Sequence, residues 1–275
     1  MARTDSELLP AAQQGDREAI NELLTRHQAR VYRFGKKMCR AEEDAKDVLQ
    51  ETLLAAARNV QGFRGASSVT TWLYAIARSF CSKGHRTSKF APENVEWLES
   101  ATREAIEVPD DGRGPEEDVS GRQVHTALNS AIGSLDPMYR EVLILRDVEG
   151  LSAAEVGEGM GLSVDAVKSR LHRARVAVRE QMTPLLGISE PASPSPRAAC
   201  ADVLDLFSKR LEGEMSADVC GEFEEHLRKC SRCSARCDTL RASLSLCRQA
   251  GDEAVPVRVE RSVRDALKRF LEPAP

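Results

Sequence analysis

Apolar residues recur three or four positions apart along almost the whole 275-residue chain, and that spacing fails in only two places. Such spacing lays one apolar stripe along a helix; sustained alternation of period two is missing and β-branched runs are few, so the expected class is all-α. The first break, 89–118, sets Pro92, Pro109, Gly112, Gly114 and Pro115 among ten carboxylates, which is linker chemistry with room for a short helix around Trp97. The second, 184–199, holds Pro184, Pro191, Pro194 and Pro196 among Ser and Ala, a composition that favours an extended, semi-rigid tether. Three helical modules follow, at 1–88, 119–183 and 200–275.

Charge is uninformative until it is divided in the same way. The net value of −4 resolves into +4 over 1–88, −7 over 89–118, zero over 119–185 and −1 over 186–275. No apolar run approaches the roughly 18 residues of a membrane span, and Met1 to Asp5 lacks the layout of a signal peptide. The chain is expected in the cytoplasm, without a membrane partner.

Helical stripes are plain in the first module: Leu23, Leu24, Val31 and Phe34; then Val48, Leu49, Thr52, Leu53 and Ala56; then Trp72, Leu73, Ile76 and Phe80. In the second module, Glu149 to Glu180 carries the punctuation of a helix-turn-helix. Ser152 and Ser163 are placed to cap two helices, and Gly161 supplies the permissive backbone of the turn between them. Leu151, Val156, Met160, Leu162, Val167, Leu171 and Ala174 are the expected buried positions. The second helix then turns Asp165, Ala166, Lys168, Ser169, Arg170 and Arg173 outward: small and polar residues near its start to reach base edges, followed by Arg173, Arg175 and Arg179 for phosphates.

These residues resemble a known family. Ser163 to Arg175, SVDAVKSRLHRAR, and its lead-in from Leu135 to Ser152 are similar to region 4 of the extracytoplasmic-function sigma factors of the bacterial sigma-70 family. Glu43 to Thr52 resembles region 2.2, and Phe63-Arg64-Gly65 with Thr71 to Arg78 resembles regions 2.3 and 2.4. The chain departs from the pattern at Ser79, where Asn is usual, and at Leu53, Ala56 and Ala57, where aromatics are common.

The resemblance implies a bridging function with no catalysis. Asp44, Asp47, Gln50 and Glu51 share one helix face and would meet the β′ clamp helices of core RNA polymerase; the helix-turn-helix module, with Ser163 among its contacts, would meet the β flap and promoter DNA. The loop from Gly62 to Thr71 would receive a flipped base of the −10 strand, lined by Arg64, Ser67, Ser68 and Thr71. Trp72 is expected in the core rather than as a stacking platform, and Arg78, Lys83 and Arg86 would meet phosphates. The acidic linker would thread the polymerase cleft.

Cysteine distribution singles out the third module. Cys39 and Cys81 stand apart, whereas Cys200, Cys220, Cys230, Cys233, Cys237 and Cys247 crowd into the tail. His226, Cys230 and Cys233 form H-x3-C-x2-C, a spacing suited to tetrahedral zinc, with Cys200 and Cys220 as candidates for the fourth ligand. The stretch from Cys200 to Cys233 also resembles the zinc-containing anti-sigma domain, which implies Cys200, His226, Cys230 and Cys233 as the ligands and leaves Cys220 as a buried small hydrophobe. The tail as a whole is similar to the cysteine-rich end of the CorE-like metal-responsive sigma factors. Cys220, Cys237 and Cys247 exceed what one zinc needs, which points either to a softer sensed metal such as Cu(I) or Cd(II) or to a redox switch. A last amphipathic helix, about Val257 to Leu271, places Val259, Val263, Leu267 and Phe270 on one face, either to complete its own module or to dock on the first two.

The reading is thus a sigma factor regulated in cis by its cysteine-rich tail. Its rivals are a conventional helix-turn-helix regulator with a purely structural zinc domain, and a thiol oxidoreductase using Cys230 and Cys233.

Overall fold

Helix α1 (Asp5–Gln13) opens on a capping box in which Thr4 and Glu7 satisfy each other's backbone amides. Helix α2 (Arg17–Met38) starts at Asp16, whose carboxylate accepts from the Glu18 and Ala19 amides, and α3 (Glu42–Asn59) starts with Glu42, Glu43 and Asp44 against the positive end of its dipole. Helix α4 (Val69–Thr87) completes the first module. This computed structural model describes residues 3–39, 42–65, 67–87, 115–188, 190–191, 200, 203–250 and 254–272, with the side chains of 82–87, 115–120 and 122 excepted. The expected helix around Trp97 lies outside the described residues.

The second module contains α5 (Pro115–Ser134), α6 (Pro137–Leu143) with a wide turn over Ile144–Val148, α7 (Ala153–Met160) and α8 (Val164–Met182). Helix α5 starts inside the segment expected as linker. Proline at a first helical position loses no intrahelical bond, so Pro115 is compatible with that start. The tail supplies α9 (Val203–Leu211), α10 (Ala217–Lys229), α11 (Ser231–Gln249) and α12 (Val257–Leu271). Among the described residues every regular element is helical.

Two apolar cores divide these helices unevenly. The larger runs from Leu8 through Leu23, Phe34, Leu49 and Leu73 into Ile132, Leu143, Val156, Leu171 and Val178, joining the first and second modules. It also takes in Cys247, Ala250, Val259, Val263 and Leu267 from the tail. Helix α12 therefore leaves its own module and packs on α2 and α3. Phe270 differs from expectation: it is 39% exposed, and the Arg58 guanidinium lies 5.1 Å from its ring centroid. The smaller core gathers Cys200, Val203, Leu204, Phe207, Phe223, Cys233, Cys237, Leu240 and Leu244, with Val176 of α8 against it.

Candidate functional site

The smaller core positions four donors. Cys200 precedes α9, His226 lies in the last turn of α10, and Cys230 and Cys233 span the corner into α11, where the Cys230 amide donates to the His226 carbonyl at 2.9 Å. The imidazole and three sulfurs all lie within 4.8 Å of one another, with Cys200 Sγ 3.9 Å from His226 Nε2 and 4.0 Å from Cys230 Sγ. A tetrahedron with zinc-to-ligand bonds of about 2.0–2.3 Å has edges of roughly 3.5–3.8 Å, so the set can close on a metal of that size with shifts of about 1 Å or less. The Cys233 backbone amide favours the thiolate of Cys230 and lowers its pKa.

The surplus thiols are dispersed. Cys237 and Cys247 are fully buried, and burial pushes their pKa up to about 11 and about 12. Cys220 is half-buried on α10 rather than fully enclosed, since the helix carries a single buried residue, Phe223.

The helix-turn-helix forms from the expected local chemistry. Ser152 caps α7 in a reciprocal box with Glu155, Gly161 ends it at φ +67°, and Ser163 caps α8 through the Ala166 amide. Of the expected buried positions, Leu162 is only half-buried and the others are enclosed. On α8, Ser163, Asp165, Ser169 and Arg173 are exposed, while Ala166, Lys168 and Arg170 are half-buried.

Two cations expected to meet phosphates are instead enclosed. Arg175 is 2% exposed, bonded to both Asp147 oxygens at 2.8 and 2.7 Å and to Glu212 of the tail at 2.8 Å. Burial works against its charge, yet the carboxylates more than reverse that effect and its pKa is raised. Arg179 pairs with Glu190 and donates to the Arg236 carbonyl at 3.2 Å.

The tail also meets further residues of α8 and one of the turn over Ile144–Val148. Lys168 pairs with Glu214, His172 shares a 3.1 Å hydrogen bond with the Ser208 hydroxyl, and Arg146 pairs with Glu212 at 3.1 Å. Glu212 and Glu214 flank Gly213, whose φ of +72° turns the chain out of α9 toward α8. Sequence reasoning missed both carboxylates. Their partners lie 37 to 66 residues away, so no local pattern marks them.

In the first module Asp44, Asp47 and Glu51 are exposed on α3 and Gln50 is half-buried beside them. Arg64 and Ser68 are exposed and Ser67 half-buried, but Thr71 is 2% exposed, so this arrangement gives a base no access to it. Its hydroxyl shares a 2.9 Å hydrogen bond with Ser68, which also caps α4 through the Thr71 amide. The cover over Thr71 is α7: a Cβ built on Gly159 would lie 3.2 Å from Thr71 Cγ2.

Trp72 is half-buried and stacks on Phe63 at 4.8 Å between ring centroids. Both rings line a cleft of about 580 Å³ with Ala55, Asn59, Gly62, Ala75, Ile76, Ser79 and Phe80, so Trp72 is not simply a core residue. The Arg78 side chain points to Glu141 at 2.8 Å and to the Met160 carbonyl at 3.4 Å. Those of Lys83 and Arg86 lie outside the described residues.

Glu149 closes the seam between the first two modules. Its carboxylate, 1% exposed, accepts from Arg33 twice at 3.1 Å and from the Tyr74 hydroxyl at 2.7 Å. Burial raises the Tyr74 pKa well above that of a free phenol, and the adjacent carboxylate adds to the effect. Among the described residues no helix is long and apolar enough to cross a membrane.

The chain is similar to several known proteins. Residues 23–90 match the family model of Sigma-70 region 2, 125–178 that of Sigma-70, region 4, and 200–234 that of a putative zinc-finger. The ECF RNA polymerase sigma-E factor of Haemophilus influenzae is 31% identical over 186 residues, covering 66% of this chain and 97% of the relative. The ECF RNA polymerase sigma factor SigW of Bacillus subtilis is 29% identical, over 62% of this chain and 92% of its own length. A solved structure of CnrH in complex with the cytosolic domain of CnrY aligns over 66% of this chain and 97% of that one, at 24% identity and a TM-score of 0.48. Sigma factors act by binding core RNA polymerase and promoter DNA rather than by catalysis, and this chain belongs to the extracytoplasmic-function sigma factors of the sigma-70 family, as an alternative sigma factor that carries a zinc-finger-like tail.

Proposed function

We propose that the tail regulates this sigma factor in cis, by occupying the helix that reads promoter DNA and by bracing the first module against the second. The observation that carries the reading is the engagement of Lys168, His172 and Arg175 on α8 by Glu214, Ser208 and Glu212 of the tail. DNA phosphates compete for the same cations, so the tail and a promoter exclude each other there. The burial of Thr71 against α7 and the pairing of Arg78 with Glu141 add a second block, on the −10 surface.

The proposed metal is zinc, held by Cys200, His226, Cys230 and Cys233; it supplies the cross-link that fixes the start of α9 to the corner between α10 and α11. That cross-link orients Glu212 and Glu214 at the other end of α9. The exposed face of Asp44, Asp47 and Glu51, with Gln50, is the proposed contact with the β′ clamp helices, and the second module that with the β flap. Arg64, Ser67 and Ser68 would meet the non-template strand, and Asp165, Ala166, Ser169, Arg170 and Arg173 the duplex, once α8 is released. The cytoplasm, where polymerase works, is the proposed location.

The test is run-off transcription with core enzyme. Compared are the metal-loaded full chain, the chelated chain, and the full chain carrying Glu212→Gln with Glu214→Gln, across Zn, Cu, Cd and diamide. Release of the tail should raise transcript yield several-fold over the metal-loaded, reduced protein. Equal yield from all of them means that the tail does not regulate.

A further inference from the structure

Two thiols outside the metal cluster face each other in the first module. Cys39 ends α2 in extended conformation (φ −89°, ψ 158°), and Cys81 lies on α4, 42 residues further along the chain. Their Sγ atoms are 3.6 Å apart, closer than the 4.0 Å between the Cys200 and Cys230 sulfurs of the metal cluster. A disulfide needs about 2.05 Å, so closure asks for a shift of roughly 1.5 Å, which is the scale of motion that rotation about a Cα–Cβ bond gives a sulfur.

The two sulfurs are unequally placed. Cys39 is half-buried at the module surface, whereas Cys81 is 4% exposed. The hydrogen bond shared with Cys81 lowers the Cys39 pKa, and Arg140 of α6, held within reach of the Met38 carbonyl at 3.4 Å, adds a smaller cationic contribution. Burial and, after it, Asp44 oppose this, each by more than Arg140 adds, but they do not reverse the lowering by the hydrogen bond. Cys81 is held in its neutral form by that hydrogen bond and by burial. An accessible sulfur biased toward thiolate, backed by a protonated buried one, is the arrangement of an attacking and a resolving cysteine. The surplus tail thiols have no such arrangement: among the described residues, no thiol-to-thiol contact involves Cys220, Cys237 or Cys247.

We propose that Cys39 and Cys81 form a hydroperoxide-reactive dithiol that closes to a disulfide within the first module, independently of the metal cluster. The Cys39 thiolate attacks the peroxide O–O bond; an S–O bond forms, the O–O bond breaks, and the leaving oxygen takes a proton to depart as water or an alcohol. Cys39 is then a sulfenic acid. The Cys81 sulfur attacks it, the S–S bond forms, the S–O bond breaks, and hydroxide leaves with the Cys81 proton as a second molecule of product water. Two thiols have lost two electrons to one peroxide. The disulfide pins the C-terminal end of α2 to α4.

The experiment treats the full-length, metal-loaded protein with a small molar excess of hydrogen peroxide, blocks remaining thiols with N-ethylmaleimide, and maps peptides without reduction. The expected product is a peptide pair joined through Cys39 and Cys81 that dithiothreitol separates, with Cys200, Cys230 and Cys233 still alkylated only after chelation. In Cys39→Ser, Cys81 should stay a free thiol. The proposal is overturned if Cys39 is oxidised while Cys81 is recovered alkylated, if the only disulfides lie in the tail, or if Cys81 is oxidised equally in Cys39→Ser.

Discussion

The tail grips its two targets by different physics. On α8 the contact adds a polar set to the apolar packing of Val176: Glu212, Glu214 and Ser208 meet Arg175, Lys168 and His172, and Glu212 also meets Arg146 of the turn over Ile144–Val148. On α2 and α3 it is apolar: Val259, Val263 and Leu267 of α12 are each 4% exposed or less. Burying such side chains contributes roughly 1.5–3 kcal/mol each and depends little on salt. Arg175 with Asp147 and Glu212 is shielded from ions, while Lys168 with Glu214 is partly open and weakens as salt rises. The difference teaches a division of labour. On the proposed reading, the apolar grip keeps the tail on the protein, and the polar grip on α8 is one that a polyanion can displace.

Metal removal tests that division most severely. In small metal domains the metal supplies about 10–16 kcal/mol of apparent binding free energy, which is folding free energy. Chelation is therefore expected to unfold 200–234, seen as loss of helical circular dichroism and new protease cleavage there. If the two grips are separate, hydrogen exchange on α12 stays slow while α8 becomes exposed. Next in size is Val263→Asp, which puts a carboxylate at a site 1% exposed and is expected to cost about 3 kcal/mol or more. Exchange should then accelerate on α12 and along the α3 face it covers, equally at low and high salt. Glu212→Gln removes a charge from two arginines and is expected to weaken the α8 grip by about 1.5–3 kcal/mol, read as faster exchange in α8 with α12 unchanged.

What was legible in the sequence follows from how local each cause is. Ser152, Gly161 and Ser163 act within three or four residues of themselves, and the helix-turn-helix they punctuate is found as expected. The α12 stripe was equally readable, but its destination was not, because Val259 and Val263 carry no mark of which helices they will meet. The ligand group came from spacing at His226, Cys230 and Cys233, and from family likeness at Cys200, which lies 26 residues before the histidine. That Arg175 and Arg179 are enclosed in this arrangement was not legible for one reason. A cation's spacing on a helix shows the face it occupies, not whether Asp147, Glu190 or Glu212 arrives to enclose it. The cover over Thr71 was hidden likewise, since the Gly159 that lies against it belongs to another module.

The smallest effects separate the open part of the polar grip from its enclosed part. Glu214→Gln is expected to cost no more than about 1 kcal/mol, and its effect on α8 exchange should vanish as salt is raised, unlike that of Glu212→Gln. His172 gives a pH test of the same seam. Burial beneath Ser208 lowers its pKa, against a weaker opposing pull from Asp205, so the gripped state holds less proton than a released α8 with an ordinary imidazole. A group whose pKa is depressed in one state favours that state at high pH and disfavours it as pH falls. The grip should therefore be complete above about pH 6.5 and weaken progressively below it, as the released form takes up the proton. Carried out in the metal-loaded chain by following the His172 ring resonance together with α8 exchange, the titration should show both moving in step, and His172→Gln should remove the pH dependence while leaving the salt dependence from Glu214. If α8 exchange is flat with pH while the imidazole titrates, the contact to Ser208 contributes nothing to the grip, and the polar side of the comparison reduces to Glu212 and Glu214.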